Sequence, residues 1–165
     1  MKKKLLITII AVSLFIGIGG IKAQTTVSQL NQVMLLKQFS GKWQNEYAPD
    51  TSVIWEIKSY GKGLETFYKI TTKGKTLREA KQLVGFDSKF ETVTNSTLLT
   101  NGRIVVFTGK FTSNNKMYME VRDKINPEKV LSRGEYAFKT VDMFTVTRIF
   151  GNYGAKPGTY YRIKE

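Results

Sequence analysis

The sequence carries few residues of the kinds that do chemistry. Its 165 residues include no His and no Cys. Without His there is no Ser-His-Asp triad, no His-ligated haem and little basis for a zinc or iron site. Without Cys there is no disulfide, no thiolate nucleophile and no lipid attachment at an N-terminal Cys. No metal and no cofactor is expected. Carboxylates remain, and Glu56, Glu65, Glu79, Glu91, Glu120 and Glu135 each sit in a strand-like stretch beside apolar neighbours. Alternation turns them toward solvent. Arg133 and Glu135 share a parity and read as a surface pair of small energetic value. Nothing marks two carboxylates as a dyad, so no catalytic residue is assigned and the chain is read as a non-enzyme. Gly74-Lys75-Thr76 ends like a phosphate-binding loop, but the pattern needs Gly at position 69, where Lys69 stands. A hairpin turn is the better reading.

Binding is the chemistry left. Trp55, Tyr68, Met119 and Tyr136 are candidates to line a pocket, and Arg148 is a candidate inward charge because it shares a parity with Phe144, Val146 and Phe150. Two faces read as inward and partly polar: Phe90, Thr92, Thr94, Ser96 and Leu98, and Met143, Thr145, Thr147 and Ile149. A mixed lining suits a pocket with a few polar anchors. A buried Arg needs a partner, and a ligand carboxylate is one option. The alternative is a packed core in which the same aromatics fill the space.

Strands must position these residues. From Gly41 onward apolar residues recur with period two. The spacing predicts strands over 41–47, 51–60, 64–72, 77–86, 90–99, 103–112, 117–122, 130–138, 143–150 and 159–163. Gly61-Lys62-Gly63, Lys73-Gly74-Lys75 and Asn101-Gly102 are hairpin signals between them. Residues 77–86 also read as helix, since Arg78, Glu79 and Ala80 favour it. We take them as strand, because they lie between two tight turns and a lone helix there would leave an edge unpaired. The fold class expected is all-β: an up-and-down antiparallel β-barrel of about eight to ten strands with a short N-terminal helix.

Ahead of the strands, Thr26-x-x-Gln29 fits a capping box. Val27, Leu30, Val33 and Met34 then share a helical face, with Leu35, Leu36 and Phe39 elsewhere around it. A short helix apolar on more than one side is expected to pack down across a barrel mouth; the alternative is a disordered lead-in as far as Asn31. Lys2-Lys3-Lys4 followed by the apolar run Leu5 to Ile21 reads as an export signal, with cleavage after Ala23. An uncleaved anchor is the competing reading, although the run falls short of the ~20 residues a spanning helix needs. The expected organisation is a signal over 1–23, a lead-in over 24–40 and a barrel over 41–165, in a periplasmic or secreted protein. The formal charge is +13, and removing Lys2, Lys3, Lys4 and Lys22 leaves +9. Such a field draws anionic partners.

Gly41-x-Trp43, after an export signal and before a strand meander, resembles the Gly-x-Trp opening of lipocalin-like proteins of the calycin superfamily. Leu83-Val84-Gly85-Phe86-Asp87 resembles a Gly-aromatic-Asp hairpin of bacterial lipocalin-like domains of unknown function. The resemblance covers about residues 35–163. It implies that Gly41 and Trp43 close one end of the barrel, and that an Arg from a late strand stacks on the indole. Arg148 and Arg162 are both candidates for that Arg. The related barrels that bind haem through His do not fit a chain without His. The function expected is binding of a small apolar or amphipathic ligand, with an anionic group as one option. The alternative is an interaction protein whose basic outside binds an anionic envelope or cell-surface polymer. Nucleic acid is not expected as a partner. Phe67, Lys69, Phe86, Lys89, Lys110 and Phe111 interleave as on a stacking platform, but an export signal leads away from nucleic acid.

Overall fold

A computed structural model describes residues 30–150, 153–154 and 157–164. The expected signal over 1–23, its cleavage after Ala23 and the Thr26 capping box lie outside the described residues. The chain enters as a short helix, α1 (Gln32–Leu36), capped by Asn31, whose Oδ1 accepts from the Met34 backbone N–H at 3.0 Å. A 3-10 turn, Lys37–Phe39, follows. Then come β1 (Gly41–Ala48), β2 (Thr51–Tyr60), β3 (Gly63–Thr72), β4 (Lys75–Asp87), β5 (Thr92–Leu99), β6 (Ile104–Ser113), β7 (Lys116–Arg122), β8 (Val130–Thr140), β9 (Met143–Phe150), the two-residue β10 (Tyr153–Gly154) and β11 (Gly158–Arg162).

Each strand from β1 to β9 pairs antiparallel with the next, and β11 lies between β9 and β1. Because β9 pairs with both β8 and β11, the sheet closes into an up-and-down barrel of ten strands, with β10 hydrogen-bonded to the end of β9. Closure gives each of β1 to β9 and β11 a strand partner on both sides. Tight hairpins make this possible. At the β3–β4 turn Lys73 and Gly74 both take left-handed backbone, φ 48° and 74°, the geometry that matches strand twist. β4 is a strand despite its helix-favouring residues, since it pairs along both edges, from Leu64 opposite Val84 to Ala80 opposite Leu99.

Alternation fills the interior. Val53, Trp55 and Ile57 face inward on β2, as do Leu64, Thr66, Tyr68 and Ile70 on β3. Two expected inward faces are in fact outer ones. On β5 the inner residues are Val93, Asn95 and Thr97, while Phe90 stands exposed in the preceding turn and Leu98 faces out. On β9 Phe144 and Val146 are buried with Arg148 on their face, so Met143, Thr145, Thr147 and Ile149 point outward. Both parities of these strands carry apolar residues, so alternation alone cannot orient them. Register does: Val93 sits opposite Phe86 and Gly109.

One end of the barrel is closed by the chain's own lead-in. Leu36 and Phe39 are buried as a plug, whereas Met34, expected on the apolar face, is exposed. The Gln32 side chain accepts from the Phe111 backbone N–H at 2.7 Å and donates to the Phe111 carbonyl at 3.1 Å. Gln38 donates to the Asn114 carbonyl and Lys37 to that of Gly61. Beneath the plug, Trp43 is fully buried and its indole N–H donates to the Phe39 carbonyl at 2.7 Å. The Arg162 guanidinium lies 4.2 Å from the centroid of the Trp43 ring. It also donates to the carbonyls of Ser40, Gln38 and Val141 and pairs with Asp142 at 3.1 Å. Of the two candidate arginines, Arg162 is the one on the indole; Arg148 stands elsewhere. A Cβ on Gly41, whose φ is +127°, would fall on Arg162 Nη1, so glycine is required there for two separate reasons.

Removing this guanidinium takes away a cation–π contact and charge-assisted hydrogen bonds together. Arg162→Met is expected to lower stability in urea unfolding by about 3 kcal/mol. Arg162→Lys is expected to recover less than half of that, because an ammonium cannot fork across several carbonyls. An unchanged unfolding midpoint in Arg162→Met would show that the cap does not hold the barrel.

Candidate functional site

Inside the barrel is a cavity of about 60 Å³. That is above the roughly 10–15 Å³ needed to admit a water and well below the ~300 Å³ at which pockets for drug-sized ligands begin. Leu36 and Phe39 bound it at the plugged end. Its wall is apolar at Ile57, Leu64, Val84, Phe107, Met117 and Met119, and polar at Thr66, Gln82 and Asn95. Trp55, Tyr136 and Arg148 complete it.

The polar wall is built from adjacent strands. Gln82 and Thr97 are cross-strand partners. The Gln82 amide donates to Thr97 Oγ1 at 3.0 Å, and the Thr97 hydroxyl donates to Asn95 Oδ1 at 3.2 Å. This relay uses the Gln82 amide nitrogen and the Asn95 carbonyl oxygen. Gln82 Oε1, an acceptor, and Asn95 Nδ2, a donor, take no part in it. Thr66, buried opposite Gln82, adds a hydroxyl to the same wall.

The aromatic wall centres on Trp55, which is 6% exposed. Its ring lies 4.8 Å from Tyr160, 6.0 Å from Tyr68 and 6.4 Å from Tyr136. Arg148 sits at the end away from α1, exposed at the rim yet lining the cavity, and opposite Gly134 in β8. The Tyr136 ring folds back over Gly134, where a Cβ would come 3.3 Å from Cε2. Burial pushes the phenol pKa of Tyr136 and of Tyr160 upward, and the Arg148 charge partly offsets this in both. Both phenols therefore stay neutral across the ordinary pH range.

Two buried polar atoms have no hydrogen-bond partner among the described residues: Trp55 Nε1 and Asn45 Oδ1. The Asn45 amide nitrogen donates to the Thr159 carbonyl at 2.6 Å. Asn45 and Tyr160 meet at Gly158, where an added Cβ would lie 3.0 Å from Asn45 Nδ2 and 3.7 Å from the Tyr160 ring. Trp55 Nε1 can only donate, so what satisfies it must bring an acceptor.

Of the residues singled out from the sequence, Trp55, Met119, Tyr136 and Arg148 line the cavity. Tyr68 packs edge-on against Trp55 behind that lining. Thr66, Gln82, Asn95 and Thr97 were not singled out. Their signal is that they are polar residues in phase with Leu64, Val84 and Val93, on the face of β5 opposite the one alternation suggests. The expected solvent position of Glu120 is also corrected. It is 7% exposed on the outer face and paired with Arg122 and Arg133. Arg133 lies directly opposite Glu120 in the β7–β8 register, so it pairs there and not with Glu135. No protein-family model matches the chain, and no curated protein matches it in sequence.

The raised phenol pKa values give a pH signature. Free tyrosine titrates near 10, so the unfolded chain ionises first as pH rises. The stability held in the neutral phenols is complete below pH ~10 and drains above it, by at most about 1.4 kcal/mol per pH unit for each group. Melting curves of Tyr136→Phe/Tyr160→Phe should fall less steeply than wild type above pH ~10 and run parallel to it below. Equal slopes on both sides would show that the two phenols ionise as freely in the folded protein as in the unfolded chain.

Proposed function

We propose that this chain is an exported lipocalin-like barrel of the calycin superfamily that binds a small amphipathic ligand inside its barrel. The ligand's anionic or acceptor head sits between Arg148 and Trp55, and its short apolar part lies toward Met117, Met119 and Phe107. The observation that carries this reading is the orphaned indole N–H of Trp55, buried in the wall of a cavity whose rim bears Arg148. A buried donor without an acceptor costs about 1–3 kcal/mol, and a carboxylate placed there removes that cost while meeting a guanidinium. The Gly41, Trp43 and Arg162 cap supports the lipocalin-like assignment, since the resemblance implied an arginine on this indole. The Lys2-Lys3-Lys4 start and the apolar run after it support export. The size of the cavity favours a short ligand, because a long chain would have to displace Leu36 and Phe39.

The reading is tested by calorimetric titration with straight-chain carboxylates of graded length. Affinity should rise with the first methylenes and then level off as the cavity fills. Trp55→Phe keeps the ring and removes the donor, and should weaken binding about tenfold, the equivalent of one hydrogen bond to a charged group. Arg148→Gln should abolish the preference for a carboxylate over the alcohol of the same length. Absence of binding across the series, or equal affinity in Trp55→Phe, would end the proposal.

A further inference from the structure

The outer wall of β4, β5 and β6 has a composition that barrel packing does not explain. Register sets Lys81, Leu98 and Ile104 side by side across the three strands, and Leu83, Ser96 and Val106 in the next row. Leu83, Leu98, Ile104 and Val106 are 42–59% exposed. Leu77, at the start of β4, is also exposed and extends the apolar surface toward the end opposite α1. A shallow groove of about 360 Å³ runs between Leu83, Leu98 and Ile104. Side chains directly opposite one another in neighbouring strands touch, so this is one continuous apolar patch, of the kind that marks an interaction surface.

Charge identifies the partner. Lys81 lies within the patch, Arg103 adjoins Ile104, and Lys73 and Lys75 stand in the hairpin below Leu77. Two carboxylates are near, Glu65 opposite Leu83 and Glu79, which is held by Lys69 at 3.5 Å. A second copy seated patch to patch would bring together two faces on which Lys81, Arg103, Lys73 and Lys75 outnumber the two carboxylates. A surface with an apolar interior and an anionic face answers both features. Exposed apolar side chains occur at the α1 end too, at Met34, Tyr60, Phe90 and Val141. Those are spread over α1, the end of β2 and two turns, and Phe90 already lies under Lys89 Nζ at 5.4 Å.

We propose that the outer face of β4–β6, with the hairpin tips beside it, docks onto an anionic lipid bilayer. The aliphatic side chains enter the boundary between headgroups and acyl chains, and Lys81, Arg103, Lys73 and Lys75 meet lipid phosphates. This surface lies outside the barrel and does not depend on what the cavity holds.

The test is flotation of the protein, purified without detergent, with vesicles of phosphatidylcholine alone or mixed with phosphatidylglycerol. The protein should float with the anionic vesicles and not with the neutral ones, and rising salt should release it. Leu98→Ser/Ile104→Ser and Lys81→Glu/Arg103→Glu should each lower the vesicle partition coefficient about tenfold or more, with unchanged circular dichroism. These sites are on the surface, so folding is expected to survive. Failure of wild type to float with anionic vesicles overturns the proposal. Full binding in both patch variants, with loss in Phe90→Ser/Val141→Ser, overturns it in favour of the α1 end. A wild-type dimer in sedimentation that Ile104→Ser dissociates gives the patch to a second copy and overturns it as well.

Discussion

The fold depends on how the first and last strands are joined. β1 and β11 share a short seam, with Trp43 opposite Arg162 and Gln44 opposite Tyr161. From β1 to β9 each neighbouring pair is made of strands consecutive in the chain, but this seam must join Trp43 to Arg162. Loop-closure entropy opposes it. Arg162 answers with one planar group reaching three separate parts of the chain: the 3-10 turn through Gln38 and Ser40, the β8–β9 turn through Val141 and Asp142, and the Trp43 face. The Asn45 amide bonded to the Thr159 carbonyl and the Ile163 backbone N–H bonded to the Lys42 carbonyl at 2.8 Å extend the seam on either side. Glycine at 41 follows from this, because the guanidinium occupies the space a side chain would need.

Because the seam is fastened at the α1 end, the core divides. Phe39 of the plug packs against Phe138, and Trp43 beneath it against Phe144, with ring centroids 4.7 Å apart in both pairs. Tyr160 continues the stack, parallel to Phe144 at 4.9 Å. This block is dense, and its contacts serve closure. Across the barrel, the inner positions of β3 to β5 carry Thr66, Gln82, Asn95 and Thr97, shorter or polar side chains that leave space. The cavity is the remainder between a packed half and a polar half.

Strand number and most strand limits were legible because turn chemistry and period two repeat along the chain. The closure was legible through Gly41-x-Trp43 alone. Orientation was legible only where one parity was decisively apolar, as with Val53, Trp55 and Ile57. On β5 and β9 each parity offers aliphatics and threonines, and pairing with neighbours decides what sequence spacing cannot. For the same reason the polar wall is not legible in the sequence, since Gln82 and Thr97 become partners only through the β4–β5 register. The choice between Arg148 and Arg162 was likewise a question of which strand returns beside β1. In the sequence Glu120 is like any other strand glutamate; the β7–β8 register brings Arg133 to it, and Arg122 pairs with it from along the same strand.

What the two halves of the core cost in stability differs, and that difference bears on function. A barrel selected for packing alone could carry aliphatic side chains at positions 66, 82, 95 and 97 and phenylalanine at 55. Such changes would remove buried polar groups at 55, 66 and 97 and half-buried ones at 82 and 95; a buried group contributes about 1 kcal/mol when bonded and costs more than that when unbonded. Gln82, Thr97 and Asn95 are satisfied among themselves only in part, and Trp55 Nε1 is not satisfied at all by the described residues. Water in a cavity of this size could serve some of these atoms. It would serve a purely structural barrel no better than the aliphatic alternative. Polar groups gathered on one wall of a cavity that Trp55 and Arg148 also line are what the proposed ligand, with acceptors of its own, would use.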